Sequence, residues 1–251
     1  MKRVLAGPHA VTEALRAAPR AIEVILIADS MRPLSIRQLE DNARHAKVEV
    51  EFVTRELLDR LTPGMPNQGV AAVTGTYPYV DLGAVMAAAE EQPHPLIMVL
   101  DQVQDPRNLG AVMRSAYAFG AAGIVMPKDR SAPVSAVAVR ASAGASELIR
   151  TARVTNLARA LDELRNAGYQ VYGAALGGDT LLQELDLTGK IVLVLGSEGK
   201  GIRRLTAEHC DRLFFIQLLN DFDSLNVSAA AAVALYEASK CRTTPDEPSS
   251  K

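Results

Sequence analysis

The distribution of apolar residues over the first third of the chain predicts a small domain of alternating strands and helices. Apolar runs at 22–28, 48–53 and 69–73 have the length and composition of strands. The stretch at 33–46 has the mixed apolar and polar spacing of an amphipathic helix. These elements predict a separate α/β domain over residues 1–75.

An Ala-rich segment with prolines behind it predicts a connection between two domains. Residues 81–91 are followed by Pro93-His94-Pro95, and prolines on both sides of one residue stop a helix. We therefore predict a linker over residues 76–95, with a second domain over 96–241.

In that second domain, apolar runs alternate with amphipathic stretches, which is the pattern of a sheet covered by helices on both faces. Continuous apolar runs such as 191–195 suit strands that are buried on both faces of a parallel sheet. Ligands of such sheets lie beyond the carboxyl ends of the strands. The predicted strands are 97–101, 123–127, 148–154, 170–175, 191–196 and 213–218, and the predicted helices are 108–119, 132–143, 157–167 and 202–209.

Composition places the chain among globular proteins and argues against a membrane or metal protein. Hydrophobic residues make up 48% of the sequence and charged residues 22%, and no apolar run is long enough to span a bilayer. Neither the four histidines nor Cys210 and Cys241 have the spacing of metal ligands, so we expect no metal and a reduced, cytoplasmic setting. The polar residues 242–251 predict a disordered tail.

Three polar loops next to strand-like runs predict a composite site in the second domain. They are Asp105–Gly110, Gly196–Gly201 and Ser224–Ser228. Each also has a structural interpretation, because Asn108 can cap a helix, a serine of the last loop can cap another, and Gly196–Gly201 can be a tight turn. Asn226 is harder to explain, since an amide between two apolar residues needs a hydrogen-bonding partner.

Charge and glycine spacing leave the ligand of these loops open. The net charge of −2 gives no general attraction to polyanions, so a nucleic acid would have to meet local basic patches. The glycine spacing of Gly196–Gly201 matches neither common nucleotide-phosphate fingerprint. Basic residues near the first loop either face phosphates or form a solvated surface, and they are Arg107, Arg114, Lys128, Arg130 and Arg140.

Taken together, the three loops resemble the three motifs of the SpoU (TrmH-type) RNA 2′-O-methyltransferases of the SPOUT superfamily. The matching text is LDQVQDPRNLGAVMRSA at 100–116, VLGSEGKGIRRL at 194–205 and SLNVSAAAAVALYE at 224–237, with PKDRSA at 127–132 and ASAGASE at 141–147. LAGPHAVTEAL at 5–15 and NQGVAA at 67–72 resemble the substrate-binding domain of the members that modify a guanosine of 23S ribosomal RNA. The resemblance covers nearly the whole chain.

The resemblance implies a C-terminal SPOUT domain with a parallel sheet and a trefoil knot, preceded by a small α/β ribosomal-protein-like RNA-binding domain. It implies a homodimer that transfers a methyl group from S-adenosylmethionine to a ribose 2′-hydroxyl of 23S ribosomal RNA. The implied catalytic residues are Asn108, Arg114, Glu198, Ser224 and Asn226. The implied cofactor-binding residues are Ala174, Gly196, Ile216, Leu218 and Leu225.

Two departures from the family pattern keep alternatives open. The family has Pro after the isoleucine of the last strand and Gly three residues on, where this chain has Gln217 and Asn220. One alternative is therefore an RNA-binding protein with weakened cofactor binding, and another is methylation of a tRNA or an antibiotic-site rRNA. The family's usual proposal makes Arg114 the base, but arginine stays protonated, so a phosphate clamp is physically easier.

Overall fold

The computed structural model describes residues 3–17, 19–197, 199, 201–220 and 224–241, which form two sheets. The first sheet has the order β1-β4-β2-β3, with β1 and β2 antiparallel to β4 and β2 parallel to β3. Its strands are β1 (Arg3–Ala6), β2 (Ile22–Ala28), β3 (Glu49–Val53) and β4 (Val70–Thr74). The predicted strands 22–28, 48–53 and 69–73 are therefore confirmed to within a residue.

Three helices cover the first sheet: α1 (Pro8–Ala17), α2 (Pro33–Ala46) and α3 (Arg55–Leu61). α1 and α2 bury Val11, Ile36 and Leu39 in one cluster, while α3 buries Leu58 in another. The pattern predicted α2 with its observed bounds but missed α1, α3 and β1. These three elements are short, so few apolar positions carry their periodicity.

The interval predicted as a linker contains a helix of the second domain. Helix α4 (Leu82–Glu90) begins at Asp81, whose side chain accepts a hydrogen bond from the backbone of Ala84 at 2.7 Å. Its buried residues share a cluster with Ile97 and Val99 of the second sheet. The prediction of a linker over 76–95 thus needs correction, because α4 packs as part of the second domain. The alanines concealed it, since they give no strong apolar stripe yet allow close approach to the sheet.

The second sheet consists of seven parallel strands in the order β7-β6-β5-β10-β8-β11-β9. They are β5 (Leu96–Asp101), β6 (Gly123–Pro127), β7 (Arg150–Val154), β8 (Gln170–Ala174), β9 (Thr180–Leu181), β10 (Ile191–Gly196) and β11 (Arg212–Phe215). Every residue of β5, β6 and β10 is buried, as continuous apolar runs predict for central parallel strands.

Helices cover both faces of this sheet: α5 (Pro106–Ala118), α6 (Ala136–Ala141), α7 (Leu157–Asn166), α8 (Arg204–Ala207) and α9 (Val227–Lys240). α5 and α9 share one buried cluster, and α4 and α7 share the other. Several elements are shorter than predicted, notably 132–143, 202–209 and the strand 213–218. Residues 216–218 leave the sheet after Phe215 and become part of a cavity wall.

None of the helices in the described ranges has both the length and the apolar character needed to cross a bilayer. The predicted disordered tail, 242–251, lies outside the described residues.

Candidate active site

A cavity of about 470 Å³ lies at the carboxyl edge of the second sheet. This volume falls within the range of roughly 300–1,000 Å³ that is typical of small-molecule sites. Its walls come from the ends of β8 and β10, the segment after β11 and the start of α9. The position agrees with the general rule that parallel sheets bind ligands beyond the carboxyl ends of their strands.

All five residues implied to bind the cofactor line this single cavity: Ala174, Gly196, Ile216, Leu218 and Leu225. They come from three strand ends and from the loop before α9, which are far apart in the sequence. Leu195, Ile202 and Phe214 add further apolar surface. Much of the wall is thus apolar, with backbone groups and a few polar side chains, such as that of Ser224, between the apolar ones. Such a surface suits a ligand that is partly apolar and partly hydrogen-bonded.

The glycine loop after β10 closes one side of the cavity through a very close backbone contact. Ser197 and Gly201 exchange backbone hydrogen bonds of 3.1 and 2.9 Å. A Cβ atom on Gly196 would lie 1.9 Å from the carbonyl carbon of Gly201, so no larger residue fits there. Glu198, which the resemblance implies to be catalytic, lies outside the described residues.

A buried carboxylate that sequence reasoning missed holds the end of this loop. Asp101 is the last residue of β5, and its side chain is fully buried. Its two oxygens accept hydrogen bonds from the backbone N–H of Arg203 at 2.9 Å and from Nε of Arg203 at 2.8 Å. An Asp at the end of a buried strand is a signal in the sequence, but its partner is 102 residues away. Only the pairing of β5 with β10 brings the two together.

Asn226 joins the first and third polar loops. Its Nδ2 donates to Oδ1 of Asn108 at 3.2 Å. Its Oδ1 accepts from the backbone N–H and the hydroxyl of Ser228, at 2.9 and 2.6 Å, and so caps α9. The amide therefore has the partners that its position between apolar residues requires.

These contacts correct the capping interpretation of the polar loops. The N-cap of α9 is Asn226, so the alternative of a serine cap at that helix is wrong. The N-cap of α5 is Asp105, whose Oδ1 accepts from the backbone N–H of Arg107 at 2.7 Å. Asn108 lies inside the first turn of α5, where it contacts Asn226 instead of capping the helix. Ser224 is half-buried in the cavity wall.

Comparison with known proteins agrees with this arrangement. The model of the SpoU rRNA Methylase family matches residues 95–236, and that of the RNA 2′-O ribose methyltransferase substrate binding domain matches residues 4–80. The chain belongs to the SpoU rRNA methylase family.

Curated relatives and a solved structure extend the SpoU match over nearly the whole chain. The 23S rRNA (guanosine-2′-O-)-methyltransferase RlmB of Coxiella burnetii is 40% identical over 240 residues, which are 95% of this chain and 96% of that protein. RlmB of Xylella fastidiosa (strain Temecula1) is 40% identical over 242 residues, with 95% and 96% covered. The SpoU methyltransferase AviRb of Streptomyces viridochromogenes, in complex with AdoMet, has a TM-score of 0.82 at 25% identity, with 96% and 90% covered.

The two departures from the SpoU pattern both face the cavity. Gln217 and Asn220 are exposed and lie in its lining. Asn220 is not among the described residues that have a positive φ, so its backbone does not need the conformational freedom of glycine. The backbone N–H of Gln217 makes no hydrogen bond to the described residues. The presence of Gln217 and Asn220 in place of the family's Pro and Gly therefore leaves the backbone of this segment without a positive φ.

Arg114 lies on α5, the helix whose first turn holds Asn108, and is exposed to solvent. Within the described part of the chain its guanidinium makes neither an ion pair nor a hydrogen bond. Arg107, Lys128, Arg130 and Arg140 are likewise exposed and without an ion pair to described residues. Of these basic residues, Arg107 and Arg114 lie on α5 and Arg140 lies on α6, while the other two lie in the loop after β6. The loop after β6 begins at the carboxyl edge of the sheet, the edge that holds the cavity.

Proposed function

We propose that this protein transfers a methyl group from S-adenosylmethionine to a ribose 2′-hydroxyl, that of a guanosine in 23S ribosomal RNA. The observation that carries this proposal is the meeting of all five implied cofactor residues in one cavity, with Ser224 in its wall and Asn226 at the start of α9. The identity to proteins named RlmB and the fold shared with an AdoMet-bound SpoU enzyme support the substrate and the cofactor. A ribosomal substrate also supports a cytoplasmic location.

The cavity fits S-adenosylmethionine by size and by lining. Backbone groups at the ends of β8 and β10 and after β11 would hydrogen-bond the polar parts of the cofactor, and Leu195, Phe214 and Leu225 would offer apolar surface to its adenine. The bound cofactor supplies a methyl group that is already activated on a sulfonium. The remaining tasks of the protein are to align the 2′-hydroxyl and to accept its proton.

The polar residues beside the cavity divide these tasks. Asn226 holds Asn108 at the start of α5, so the amide of Asn108 is oriented before RNA binds. Arg114 is a phosphate clamp that orients the ribose, because a guanidinium binds phosphate through two parallel hydrogen bonds and stays charged. Arg107, Lys128, Arg130 and Arg140 extend the same positive surface for neighbouring phosphates.

Exposed apolar residues support a homodimer. Tyr117 of α5 and Val233 and Tyr236 of α9 are 46%, 40% and 54% exposed, and these two helices pack side by side. Such a surface on adjacent helices suits burial against a second copy. Sedimentation equilibrium should give a dimer mass that Tyr236→Asp converts to a monomer mass. The trefoil threading that the family implies stays a prediction, since strand order alone does not determine it.

Mapping of 2′-O-methyl groups tests the function directly. Ribosomal RNA from cells with and without the gene should differ at one guanosine of the 23S molecule, and the purified protein should restore that mark on an unmodified transcript. A difference in tRNA or at another rRNA site would show that the substrate is a different RNA.

Because Gln217 and Asn220 face the cavity, calorimetry with S-adenosylmethionine separates an active enzyme from an RNA-binding protein with weakened cofactor binding.

A further inference from the structure

A buried ion pair joins the N-terminal domain to the methyltransferase domain. Arg3 of β1 donates from Nη1 to Oε1 of Glu147 at 3.0 Å and from Nη2 to Oε2 at 3.4 Å. The two side chains are only 7% and 1% exposed, and the residues are 144 positions apart. The geometry is two-pronged, which defines an orientation as well as a distance.

A tyrosine reinforces the same junction. The hydroxyl of Tyr77, in the connection between the domains, donates to the carbonyl oxygen of Ser146 at 2.7 Å. The guanidinium of Arg3 lies 5.0 Å from the centre of the Tyr77 ring. Burial raises the pKa of Tyr77, so the hydroxyl keeps its proton and remains a donor at physiological pH. Two side chains from the N-terminal side, Arg3 and Tyr77, thus converge on residues 146 and 147.

The loop that receives these contacts is held in one conformation. It is the ASAGASE segment at 141–147, to which the family resemblance assigned no role. The hydroxyl of Ser142 donates to the carbonyl of Val139 at 2.7 Å and accepts from the backbone N–H of Ser146 at 3.1 Å. A Cβ atom on Gly144 would lie 2.7 Å from Cβ and Cγ of Glu13 on α1, so the two domains are in close contact here.

The same loop is tied to the helix that carries the catalytic residues. It follows α6 directly, and α6 packs on α5 so closely that a Cβ atom on Gly110 would lie 2.2 Å from the carbonyl oxygen of Ala138. Gly110 is two residues beyond Asn108 on α5. A continuous path of buried contacts therefore runs from β1 through the ASAGASE loop and α6 to α5.

We propose that Arg3 and Glu147 are positioning residues, which hold the N-terminal domain in one orientation so that RNA bound there presents its ribose to α5. Buried ion pairs add little net stability compared with apolar residues of similar size, because desolvation offsets their attraction. What this pair contributes is a defined relation between two domains. The proposal rests on the proposed function, since it assumes that RNA contacts both domains.

The test separates orientation from cofactor binding and from folding. Glu147→Gln keeps the shape of the side chain and removes its charge. We expect at least a tenfold loss of kcat/KM on a long 23S transcript, with unchanged affinity for S-adenosylmethionine and unchanged turnover of a short oligonucleotide around the mapped nucleotide. Equal losses on both RNAs, or no loss, would overturn the proposal. If Glu147→Gln does not fold, the paired apolar variant Arg3→Met with Glu147→Leu is judged by the same criteria.

A spin-label distance measures the orientation itself. Labels on native Cys241, which is exposed, and on Leu34→Cys, in a Cys210→Ser background, report on the two domains. Diluting labelled with unlabelled protein suppresses distances between copies. The intact pair should give one narrow distance distribution, and Glu147→Gln should broaden it. An unchanged distribution would refute the positioning role. Absence of methyl transfer by the unaltered protein would refute the proposed function instead, and the distances would still test the orientation.

Discussion

Asp101 and Glu147 are both buried carboxylates that meet an arginine distant in sequence, yet they fix different things. The carboxylate of Asp101 accepts hydrogen bonds from both the backbone N–H and the side chain of Arg203. The side chain of that arginine is 44% exposed. Glu147 meets Arg3 through side chains alone, and both are buried. The first contact fixes a loop beside the cofactor cavity, and the second fixes one domain against another. Loss of the first should affect cofactor binding, and loss of the second should affect RNA use.

Deletion of the N-terminal domain should have the largest effect, and it tests whether RNA binding and cofactor binding depend on different domains. A segment of residues 76–241 should fold, bind S-adenosylmethionine and lose most of its rRNA affinity. A segment that begins at Pro93 should fail to fold, because it lacks α4, whose Leu82, Val85, Ala88 and Ala89 are buried in the core. Circular dichroism, calorimetry and filter binding compare the two. Unchanged rRNA affinity of the longer segment would contradict the division of labour between the domains.

Substitution of Asn108 or Arg114 by Ala tests the catalytic roles proposed for them, which both carboxylates would support only indirectly. We expect methyl transfer to fall about 10²-fold or more, since small errors in reactant alignment cost that much. The melting temperature should be nearly unchanged, because Arg114 is exposed and Asn108 is only half-buried. Single-turnover assays measure the loss, with Ala substitution of exposed Arg159 on α7 as the matched control. Near-normal turnover of either variant would refute its catalytic assignment.

Asp101→Ala should lower the free energy of unfolding by about 1–3 kcal/mol, because it removes the acceptor for the backbone N–H of Arg203. Affinity for S-adenosylmethionine should weaken too, since the glycine loop loses its anchor. Asp101→Asn keeps an acceptor and should lose less on both counts. Urea unfolding and titration calorimetry measure these effects. If Asp101→Ala changed RNA affinity but not cofactor affinity, the distinction between the two carboxylates would be wrong.

Gln217→Pro should have the smallest effect, a few-fold tighter binding of S-adenosylmethionine. Proline reduces the freedom of the loop before binding, which is worth about 0.4–1 kcal/mol where the backbone is compatible. It removes no hydrogen bond to the described residues, since the N–H of Gln217 donates none there. Calorimetry of this variant, alone and with Asn220→Gly, measures the change. Weaker binding in both variants would show that this loop works in its own way.

The prediction of the fold succeeded where a signal is continuous in the sequence. The apolar runs of β5, β6 and β10 identified central parallel strands, and α2 was found with its observed bounds. The signal failed at α4, where alanines make up half of the buried positions, and at 132–143, where residues on both sides of α6 are not helical. Periodicity reports which face of an element is buried, but it does not report what covers that face.

The chain alone determined the family, the sheet and the residues that line the cavity, because these depend on local pattern and on motifs that lie within short segments. Only the tertiary structure decided which distant polar groups meet: Asp101 with Arg203, Asn108 with Asn226, and Arg3 with Glu147. These pairs depend on strand order and on the packing of α6 between the N-terminal domain and α5. From the sequence one can infer that a buried carboxylate or amide needs a hydrogen-bonding partner. The partner itself is determined by the fold, which in these three pairs brings together residues more than a hundred positions apart.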